Sequence, residues 1–492
     1  MDEQRYEVVV VGSGAGGGVV AGELAARGRS VLLIELGPHR TAIDFQRWEA
    51  KAAHELWWPI RFAMPAGDWG RGPVALIGGR CVGGSTTINT KVAMRAIDAD
   101  IAKWHEASGL LGSSGAPFAP DDLAPWYERV ERYLGVRARD DWSDSVRTVE
   151  RGFKALGGRL ESVESYTDEN CTRIGSCLQG CPTNGGKSTQ NTYIARALAN
   201  GTLELRAQAR VERVLVEDSP DGPRASGVEY SDAGGRHRVL AGAVVVAAGT
   251  LNTPGLLARS GLRDPLIGQN LGFHPARLVF GRFAEPQDAH VVYPITTHYA
   301  DRRRDEDGGF VIEAVTMQDP IGFAINLQDE SGPMWGEPLV EALRAYRNWT
   351  GVLAMVNDDN NGAVIPAADW DGGDDAYSCD FSAAEIERLD GALDFSRRAL
   401  EAAGAEQVLW TGLVTTHIQG SCRMGSDPAR SVVDAHGEMH AVRRLFVGDG
   451  SVIPRTVSAN PSLTIMALAT RLADHLDADA SGYLSSLQSA AA

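Results

Sequence analysis

The chain has few cysteines and few basic residues for its length. Six cysteines in 492 residues are too sparse for a scaffold built on disulfides. Lysine and arginine total 47 against 64 aspartates and glutamates, which leaves a formal net charge of −17. Because a surface of this charge repels phosphate, nucleic acid is not expected as a partner.

Long apolar runs and an N-terminal targeting pattern are also missing. No stretch reaches the roughly 18 consecutive apolar residues of a membrane-spanning helix, so no transmembrane segment is expected. The first seven residues, MDEQRYE, lack the basic start and the apolar stretch of a secretory signal. We therefore expect a cytoplasmic location.

What is present is an ordinary globular composition with abundant, clustered glycine. Hydrophobic residues make up 43% of the chain and charged residues 23%, values that exclude global disorder. At roughly 150 residues per domain, the length predicts two or three structural units. The 56 glycines crowd into a few segments, which indicates tight turns or close approach of the backbone to a ligand.

A β–α–β unit is predicted at the N-terminus. Val8 to Val11 indicate a buried strand, residues 19–27 a helix, and Val31 to Glu35 a second strand. The turn between the first strand and the helix reads G-x-G-x-x-G, the fingerprint of a dinucleotide site in this context. The residues expected to hold the cofactor here are Gly12, Gly14, Ala15, Gly17 and Glu35.

Each of these residues has a distinct expected role. Gly12 permits the tight turn, Gly14 lets the backbone approach a pyrophosphate, and Gly17 lets helix and strand pack closely. The amides of the helix N-terminus attract the phosphates. Glu35 is expected to accept hydrogen bonds from the adenosine ribose, which disfavours a 2′-phosphate but does not separate FAD from NAD. The alternative is a plain glycine-rich turn.

Five further motifs decide the cofactor by resemblance. They are GGRCVGGSTTIN at 78–89, AGTLNTPGLL at 248–257, NLGFHP at 270–275, GDGS at 448–451 and NP at 460–461. In this order along the whole chain, they resemble the motifs of the glucose–methanol–choline (GMC) flavoprotein oxidoreductases. The resemblance implies FAD and an α/β fold, α+β overall, in which a Rossmann-type FAD-binding domain is interleaved with a substrate domain built on an antiparallel sheet with helices.

The resemblance also implies domain bounds and flavin contacts. The FAD-binding domain is expected at 1–100, 185–285 and 430–480, the substrate domain at 101–184 and 286–429, and a flexible tail at 481–492. Gly83, Gly84 and Ser85 are expected along the flavin and pyrophosphate, and Asn89 beside the isoalloxazine ring. The backbone of Val211 is expected to hold adenine, and Asp449 to meet the ribityl or pyrophosphate group. The remaining expected contacts are Ala248, Gly249, Gly450, Asn460 and Pro461. Some members attach flavin through a histidine where this chain has Ile88, so FAD is expected to bind non-covalently.

His417 and Asn460 are the expected catalytic pair. His417 begins a segment, HIQG, that resembles the family's His-x-x-Gly, and Asn460 matches its second catalytic position. Histidine titrates near neutral pH and suits a base that takes the hydroxyl proton. Asparagine both donates and accepts, so it can orient the substrate oxygen. Asn460 before Pro461 is also a good helix N-cap, and both roles are expected together.

Cys171, Cys177 and Cys181 form a separate motif, C-x5-C-x3-C-P. It matches the bacterial ferredoxin run with its second cysteine replaced by Ile174. Some sugar dehydrogenases of the family have a similar segment and bind an iron–sulfur cluster there, whereas the similar long-chain alcohol oxidases have no established cluster. An iron–sulfur site at these three cysteines is therefore one option, and free thiols are the favoured one.

The expected substrate is a small-molecule alcohol, favoured as a polyhydroxylated one: a sugar, a glycoside or an aminoglycoside-like compound. This expectation depends on the polar character of residues 290–380, with His298, Gln318, Asn326, Asn357, Asp358, Asp359, Asn360, Asp371, Asp374 and Asp375. The alternatives are the same chemistry on a long-chain or sterol alcohol, and a flavin-binding lyase without redox chemistry. The electron acceptor stays open between oxygen, a quinone and a redox protein.

Overall fold

The strands form two large sheets and one short pair, with helices packed around them. The computed structural model describes residues 4–65, 72–301, 309–315, 320–324, 326–367 and 374–479. The tail expected at 481–492 lies outside these ranges. The described strands are β1 (Arg5–Val11), β2 (Val31–Ile34), β3 (Arg61–Pro65), β4 (Val74–Leu76), β5 (Arg137–Ala138), β6 (Glu161–Ser162), β7 (Glu164–Ser165), β8 (Leu203–Arg206), β9 (Arg210–Glu217), β10 (Arg224–Asp232), β11 (Gly235–Val246), β12 (Gln269–Leu271), β13 (Ala276–Arg282), β14 (Ile295–Ala300), β15 (Val311–Val315), β16 (Leu327–Asp329), β17 (Gly332–Pro333), β18 (Trp349–Met355), β19 (Gly362–Ile365), β20 (Ala376–Cys379), β21 (Gln407–Thr411), β22 (Val414–Thr415) and β23 (Leu445–Val447). The described helices are α1 (Gly17–Ala26), α2 (Glu49–Leu56), α3 (Asp98–Ser108), α4 (Ala124–Leu134), α5 (Asp144–Ala155), α6 (Ala195–Ala199), α7 (Thr253–Arg259), α8 (Pro320–Ala324), α9 (Glu337–Arg344), α10 (Ala383–Ala402) and α11 (Ser462–Ala478).

The first sheet has a parallel part in the order β8-β2-β1-β11, with β23 also beside β11. Val8, Val9 and Val10 are fully buried, as expected of a parallel strand that is covered on both faces. β11 changes partners along its length: its first half pairs antiparallel with β10, and its last three residues pair parallel with β23. The long strand therefore joins the parallel part to the β9–β10 hairpin.

The carboxyl ends of the parallel strands share one edge of this sheet. β1 leads into Gly12, β2 into Glu35, β11 into Ala247 and β23 into Gly448. In open α/β sheets, ligands bind in the crevice at this edge. The sequence motifs predicted to hold the cofactor are thus brought together by the strand directions.

The second sheet is mainly antiparallel and runs β12-β19-β20-β3-β4-β22-β13-β18-β15-β14-β6, with β21, β16 and β17 branching from it. Helices α5 and α10 pack on it. A sheet of parallel strands and a mainly antiparallel sheet with helices confirm the predicted fold class. Among the described residues, no helix has the length and apolar character needed to cross a membrane.

The sheets do not divide the chain at the predicted domain bounds, which stay a prediction. β3, β4 and β13 lie in ranges assigned to the FAD-binding domain, yet they pair within the second sheet. α4 and most of α3 lie in a range assigned to the substrate domain, yet their residues Trp104 and Val130 belong to the same buried cluster as Val9 of the first sheet. Backbone pairing and apolar packing determine which sheet or cluster each element joins. The positions of the motifs alone predict neither.

Candidate active site

A cavity of about 920 Å³ is lined by residues of both sheets. This volume lies in the upper part of the range for sites that enclose small molecules and cofactors. The sequence-predicted residues that line it are Gly12, Gly14, Ala15, Glu35, Gly84, Ser85, Asn89, Val211, Ala248, Gly249, His417, Asp449, Gly450, Asn460 and Pro461. The structure therefore gathers nearly all of the predicted site residues around one space.

Two predicted cofactor contacts, Gly17 and Gly83, do not line the cavity. A Cβ on Gly17 would lie 2.0 Å from the carbonyl oxygen of Gly12, so Gly17 is required for packing of the turn. Gly83 has a φ of +93°, and a Cβ there would lie 2.2 Å from the hydroxyl of Thr87. Both glycines therefore permit the close packing of the cofactor loops, and neither lines the cavity.

Two glycine-rich loops form a cradle in the wall of the cavity. A Cβ on Gly14 would meet nothing within 4 Å, whereas a Cβ on Gly84 would lie 2.9 Å from the Cα of Gly14. The two backbones therefore approach each other closely and leave open space beside Gly14. This space lies at the start of α1, where unpaired amides favour a phosphate.

Ser13 and Glu35 tie the loops of this cradle together. The Ser13 amide and hydroxyl donate to Glu35 Oε2 at 3.0 and 2.7 Å, and the Gly37 amide donates to Oε1 at 2.8 Å. The Gly83 amide donates to the Ser13 hydroxyl at 2.9 Å. Burial raises the pKa of Glu35, and these donors counteract that effect. Glu35 therefore orders the loops in addition to the ribose contact that its position predicts.

Asp449 joins the ends of β11 and β23 through four donors. Its Oδ2 accepts from the Gly249 amide at 2.8 Å and from the Thr253 hydroxyl at 2.6 Å. Its Oδ1 accepts from the amide and hydroxyl of Ser451 at 2.8 and 2.6 Å. These donors engage both oxygens, and the expected contact of Asp449 with the cofactor stays a prediction.

These residues fit FAD. The open space beside Gly14 suits a pyrophosphate, and Val211, on β9, lies in the same wall with Ala209 and Arg210, where adenine is expected. The side-chain oxygen of Asn460 is buried and has no hydrogen-bond partner among the described residues, so it can accept from a bound group. Asn89 also lines the cavity, and its amide donates to the Tyr166 hydroxyl at 2.6 Å.

His417, Asn460 and His274 form a cluster in the cavity wall. The Asn460 amide nitrogen lies 3.3 Å from His417 Nε2. His417 Nδ1 lies 2.9 Å from His274 Nδ1, and the two rings stand nearly perpendicular. His274 Nε2 lies 2.5 Å from the carbonyl oxygen of Val457. The predicted pair is thus brought together with a second histidine, for which the sequence analysis assigned no role.

The surroundings of His417 favour its neutral form. Burial, with a smaller effect of the neighbouring His274, lowers the pKa of His417 well below the ordinary value of 6.5. The part of the ring that stays accessible lines the cavity. At neutral pH the imidazole is therefore unprotonated and can accept a proton.

Asn460 does not cap the last helix, which corrects one expectation. α11 begins at Ser462, its N-cap position is Pro461, and no side chain caps it. The Asn460 side chain instead faces His417. The Asn460 side chain is therefore not used in capping and contacts the cavity instead.

Most of the polar residues expected to line the substrate pocket do not do so. Among the described residues, Asn326, Asp374 and Asp375 line the cavity, whereas His298, Asn357, Asp358, Asp359 and Asn360 do not. Gln318 and Asp371 lie outside the described residues. Asp358 is buried and accepts hydrogen bonds from the Phe273 amide at 2.9 Å and the Thr456 hydroxyl at 3.2 Å. The acidic turn therefore supports the segments that carry His274 and Val457.

The second sheet contributes a largely apolar face to the cavity. In register, Ala276 pairs with Met355 and Leu278 pairs with Leu353, and all four residues line the space. Ile295 and Val315 continue this face on β14 and β15, which also includes the buried carboxyl group of Glu313. This part of the cavity wall can therefore accommodate a carbon framework.

The three clustered cysteines lie in different environments in the structure. Among the described residues, no group of three or more histidine, cysteine, aspartate or glutamate side chains is arranged to hold a metal ion. Burial raises the pKa of Cys177 to about 12. Although burial opposes it, hydrogen bonds from Gly186 and Thr183 lower the pKa of Cys181. The thiols are free and lie in different environments.

Two models of one protein family together match most of the chain. Residues 6–276 match the N-terminal model described as GMC oxidoreductase, and residues 378–469 match its C-terminal model. An uncharacterised GMC-type oxidoreductase of Sinorhizobium fredii is 30% identical over 95% of this chain and 94% of its own length.

Relatives with a named activity are more distant. A long-chain-alcohol oxidase of Arabidopsis thaliana is 29% identical over 94% of this chain, which spans 66% of that enzyme. A 6'''-hydroxyparomomycin C oxidase of Streptomyces lividus is 27% identical over 98% of this chain and 94% of its own length. The pyridoxine 4-oxidase structure from Mesorbium loti has the same fold, with a TM-score of 0.73, 20% identity, and coverage of 96% of this chain and 99% of that one. The chain belongs to the GMC oxidoreductase family, and the enzymatic class and FAD cofactor that its motifs predicted are those of that family.

Proposed function

We propose that this enzyme oxidises a hydroxyl group of a small-molecule alcohol, with FAD bound in the cradle and His417 as the base. The observation that carries the proposal is the pairing of His417 with Asn460. They are 43 residues apart in sequence, and their side chains lie 3.3 Å apart in the wall of the cavity. A neutral imidazole can take a hydroxyl proton, and a neighbouring amide can orient the hydroxyl oxygen.

The chain contributes proton transfer and orientation. Bound FAD supplies the acceptor for the hydride that leaves the alcohol carbon. His417 takes the hydroxyl proton, and its low pKa keeps it ready at neutral pH. The buried side-chain oxygen of Asn460 accepts a hydrogen bond, and its amide donates to the substrate oxygen. The apolar face limits water around the reacting group.

FAD binding is proposed to be non-covalent. The position at which some family members carry a flavin-linking histidine holds Ile88, which lines the cavity and has no nucleophilic atom. Ile88 packs in a small buried cluster with Cys81, Ala52 and Leu56. Denaturation should therefore release the flavin from the polypeptide.

The proposed substrate is a polyhydroxylated compound, such as a sugar, a glycoside or an aminoglycoside-like amino sugar. The Streptomyces lividus oxidase supports this class because it and the present chain align over nearly all of both lengths. Asn326, Asp374 and Asp375 are polar groups of the cavity wall that can hydrogen-bond to such a molecule.

A long-chain alcohol is the second candidate, and one observation favours it. The face formed by Ala276, Leu278, Leu353 and Met355 is apolar, and a hydrocarbon chain would gain by its burial. The electron acceptor stays open between oxygen, a quinone and a redox protein. The cytoplasmic location stays a prediction from the N-terminal sequence.

The test is the visible absorption spectrum of the purified flavoprotein under anaerobic conditions. We expect the bound flavin to bleach on addition of an alcohol, and a panel of sugars, amino sugars and fatty alcohols distinguishes the two substrate classes. Bleaching by fatty alcohols alone would replace the first class by the second. A flavin that no alcohol bleaches, in a protein that cleaves a hydroxynitrile, would establish the lyase alternative instead.

A further inference from the structure

We infer that His274 is a positioning residue that holds His417 in a single tautomer, with a proton on Nδ1 and with Nε2 as the basic nitrogen. The inference rests on the proposed function, since it states which atom of His417 receives the proton. It concerns a residue that acts on the reaction through His417, by a chain of hydrogen bonds.

The chain of hydrogen bonds begins at a carbonyl group, which can only accept. The carbonyl oxygen of Val457 lies 2.5 Å from His274 Nε2, so this nitrogen carries a proton and donates. In a neutral imidazole the other nitrogen is then an acceptor. His274 Nδ1 therefore accepts, and its neighbour at 2.9 Å, His417 Nδ1, must be the donor.

The contact on the far side of His417 is compatible with the same tautomer. The Asn460 amide nitrogen, a donor, lies 3.3 Å from His417 Nε2. Only an unprotonated Nε2 can accept from it. The opposite tautomer would place a bare His274 Nε2 against the Val457 carbonyl, with two acceptors 2.5 Å apart. The Val457 contact thus requires a proton on His417 Nδ1, and the Asn460 contact agrees with an unprotonated Nε2.

The anchor of this chain, Val457, is itself fixed. The Val457 amide donates to the side-chain oxygen of Gln419 at 3.1 Å. The preceding amide, of Thr456, donates to Asn360 at 2.9 Å, and the following amide, of Ser458, donates to Asp100 at 2.7 Å. The carbonyl that sets the tautomer is therefore held by buried side chains on both sides.

A single carboxyl group connects the two segments that meet at His274. Asp358 accepts from the Phe273 amide, directly before His274, and from the Thr456 hydroxyl, directly before Val457. This connection fixes the separation between His274 and its carbonyl partner. It also gives a role to an acidic turn that the sequence had indicated as part of the pocket.

The consequence for the reaction is an ordered proton transfer. The O–H bond of the substrate breaks as a new N–H bond forms at His417 Nε2. The resulting imidazolium keeps its Nδ1 proton, which still points to the His274 Nδ1 lone pair. His274 thus prevents the ring from presenting a protonated Nε2 to the substrate, a state in which it could not act as a base.

The direct test is ¹⁵N NMR of the holoenzyme labelled in its histidine side chains, with the His417 signals assigned by comparison with His417→Ala. We expect a protonated Nδ1 and an unprotonated Nε2 at neutral pH. A protonated Nε2 would overturn the inference. This measurement is independent of turnover, so it holds even if the proposed reaction is wrong.

The kinetic test uses two variants. His274→Leu removes the acceptor and should slow flavin reduction at saturating alcohol by about 10-fold or more, the range for one lost hydrogen bond to a charged group, with little change in substrate binding. His274→Asn places an amide oxygen where Nδ1 was and should recover most of the rate. His475→Leu, which removes a histidine stacked on His436, is the matched control and should react normally.

The two failures remain distinguishable. Equal rates in His274→Leu and wild type would overturn the positioning role while alcohol oxidation stands. Equal slowing in the Leu and Asn variants would also overturn it, because a merely structural role is not rescued by one acceptor atom. The expected NMR tautomer in a protein that oxidises no alcohol would contradict the proposed function alone.

Discussion

The cradle and the catalytic cluster line the same cavity but are built by different means. The cradle consists mostly of backbone, with glycines 12, 14 and 84. The catalytic cluster consists of side chains from segments far apart in sequence, with His274, His417 and Asn460 in contact. Short motifs therefore predict the cradle, whereas the contacts of the catalytic cluster require the folded chain.

A first way to break this comparison is to fill the cradle. We expect Gly14→Val to fold but to lose FAD, because a side chain there meets no protein atom and occupies the open space. The measurement is the flavin-to-protein absorbance ratio. Wild-type apoprotein is the control for thermal stability, since a bound ligand itself stabilises the fold. Full flavin content in the variant would show that the cofactor lies elsewhere.

A second variant tests the cluster of His274, His417 and Asn460. Asn460→Ala should keep FAD yet slow flavin reduction by about 10- to 100-fold, the range for losing a hydrogen bond to a charged or reacting group. Because the Asn460 side chain does not cap α11, we expect the melting temperature to change little. A large loss of stability at an unchanged rate would return Asn460 to the role of a helix cap.

The pH dependence of flavin reduction tests whether His417 is buried and neutral. His417 can accept a proton only when it is unprotonated, that is, above its pKa. The rate of flavin reduction should therefore fall as the pH decreases through that pKa. Since the pKa of His417 lies well below 6.5, the rate should stay level as pH decreases through 6.5 and fall only under more acidic conditions. A rate that halves near pH 6.5, as for an exposed histidine, would contradict the buried neutral base.

The smallest effect is expected at the cysteines. Cys177→Ser and Cys181→Ser should leave flavin content and the rate of flavin reduction unchanged, and the wild-type protein should contain no stoichiometric iron. Among the described residues these thiols form no metal-binding group. Iron in anaerobically purified protein that disappears in either variant would favour the cluster alternative.

Sequence motifs predicted the β–α–β unit and the grouping of His417 with Asn460. They did not predict His274 or Asp358, because their roles depend on segments that meet only in the fold. Asp358 illustrates the reason: an acidic turn is usually solvated, but this carboxyl group is buried and accepts from backbone amides. The strand pairings of β3 and β13 were likewise not encoded in a local motif.

The central claim is that His417 is the base, and the most direct measurement is the rate of anaerobic flavin reduction in His417→Ala at saturating alcohol. The account predicts a fall of at least ~100-fold with FAD still bound, the usual scale for loss of a general base. His436→Ala, which removes a histidine outside the catalytic cluster, is the control. A His417→Ala enzyme that reduces its flavin at the wild-type rate would contradict the account.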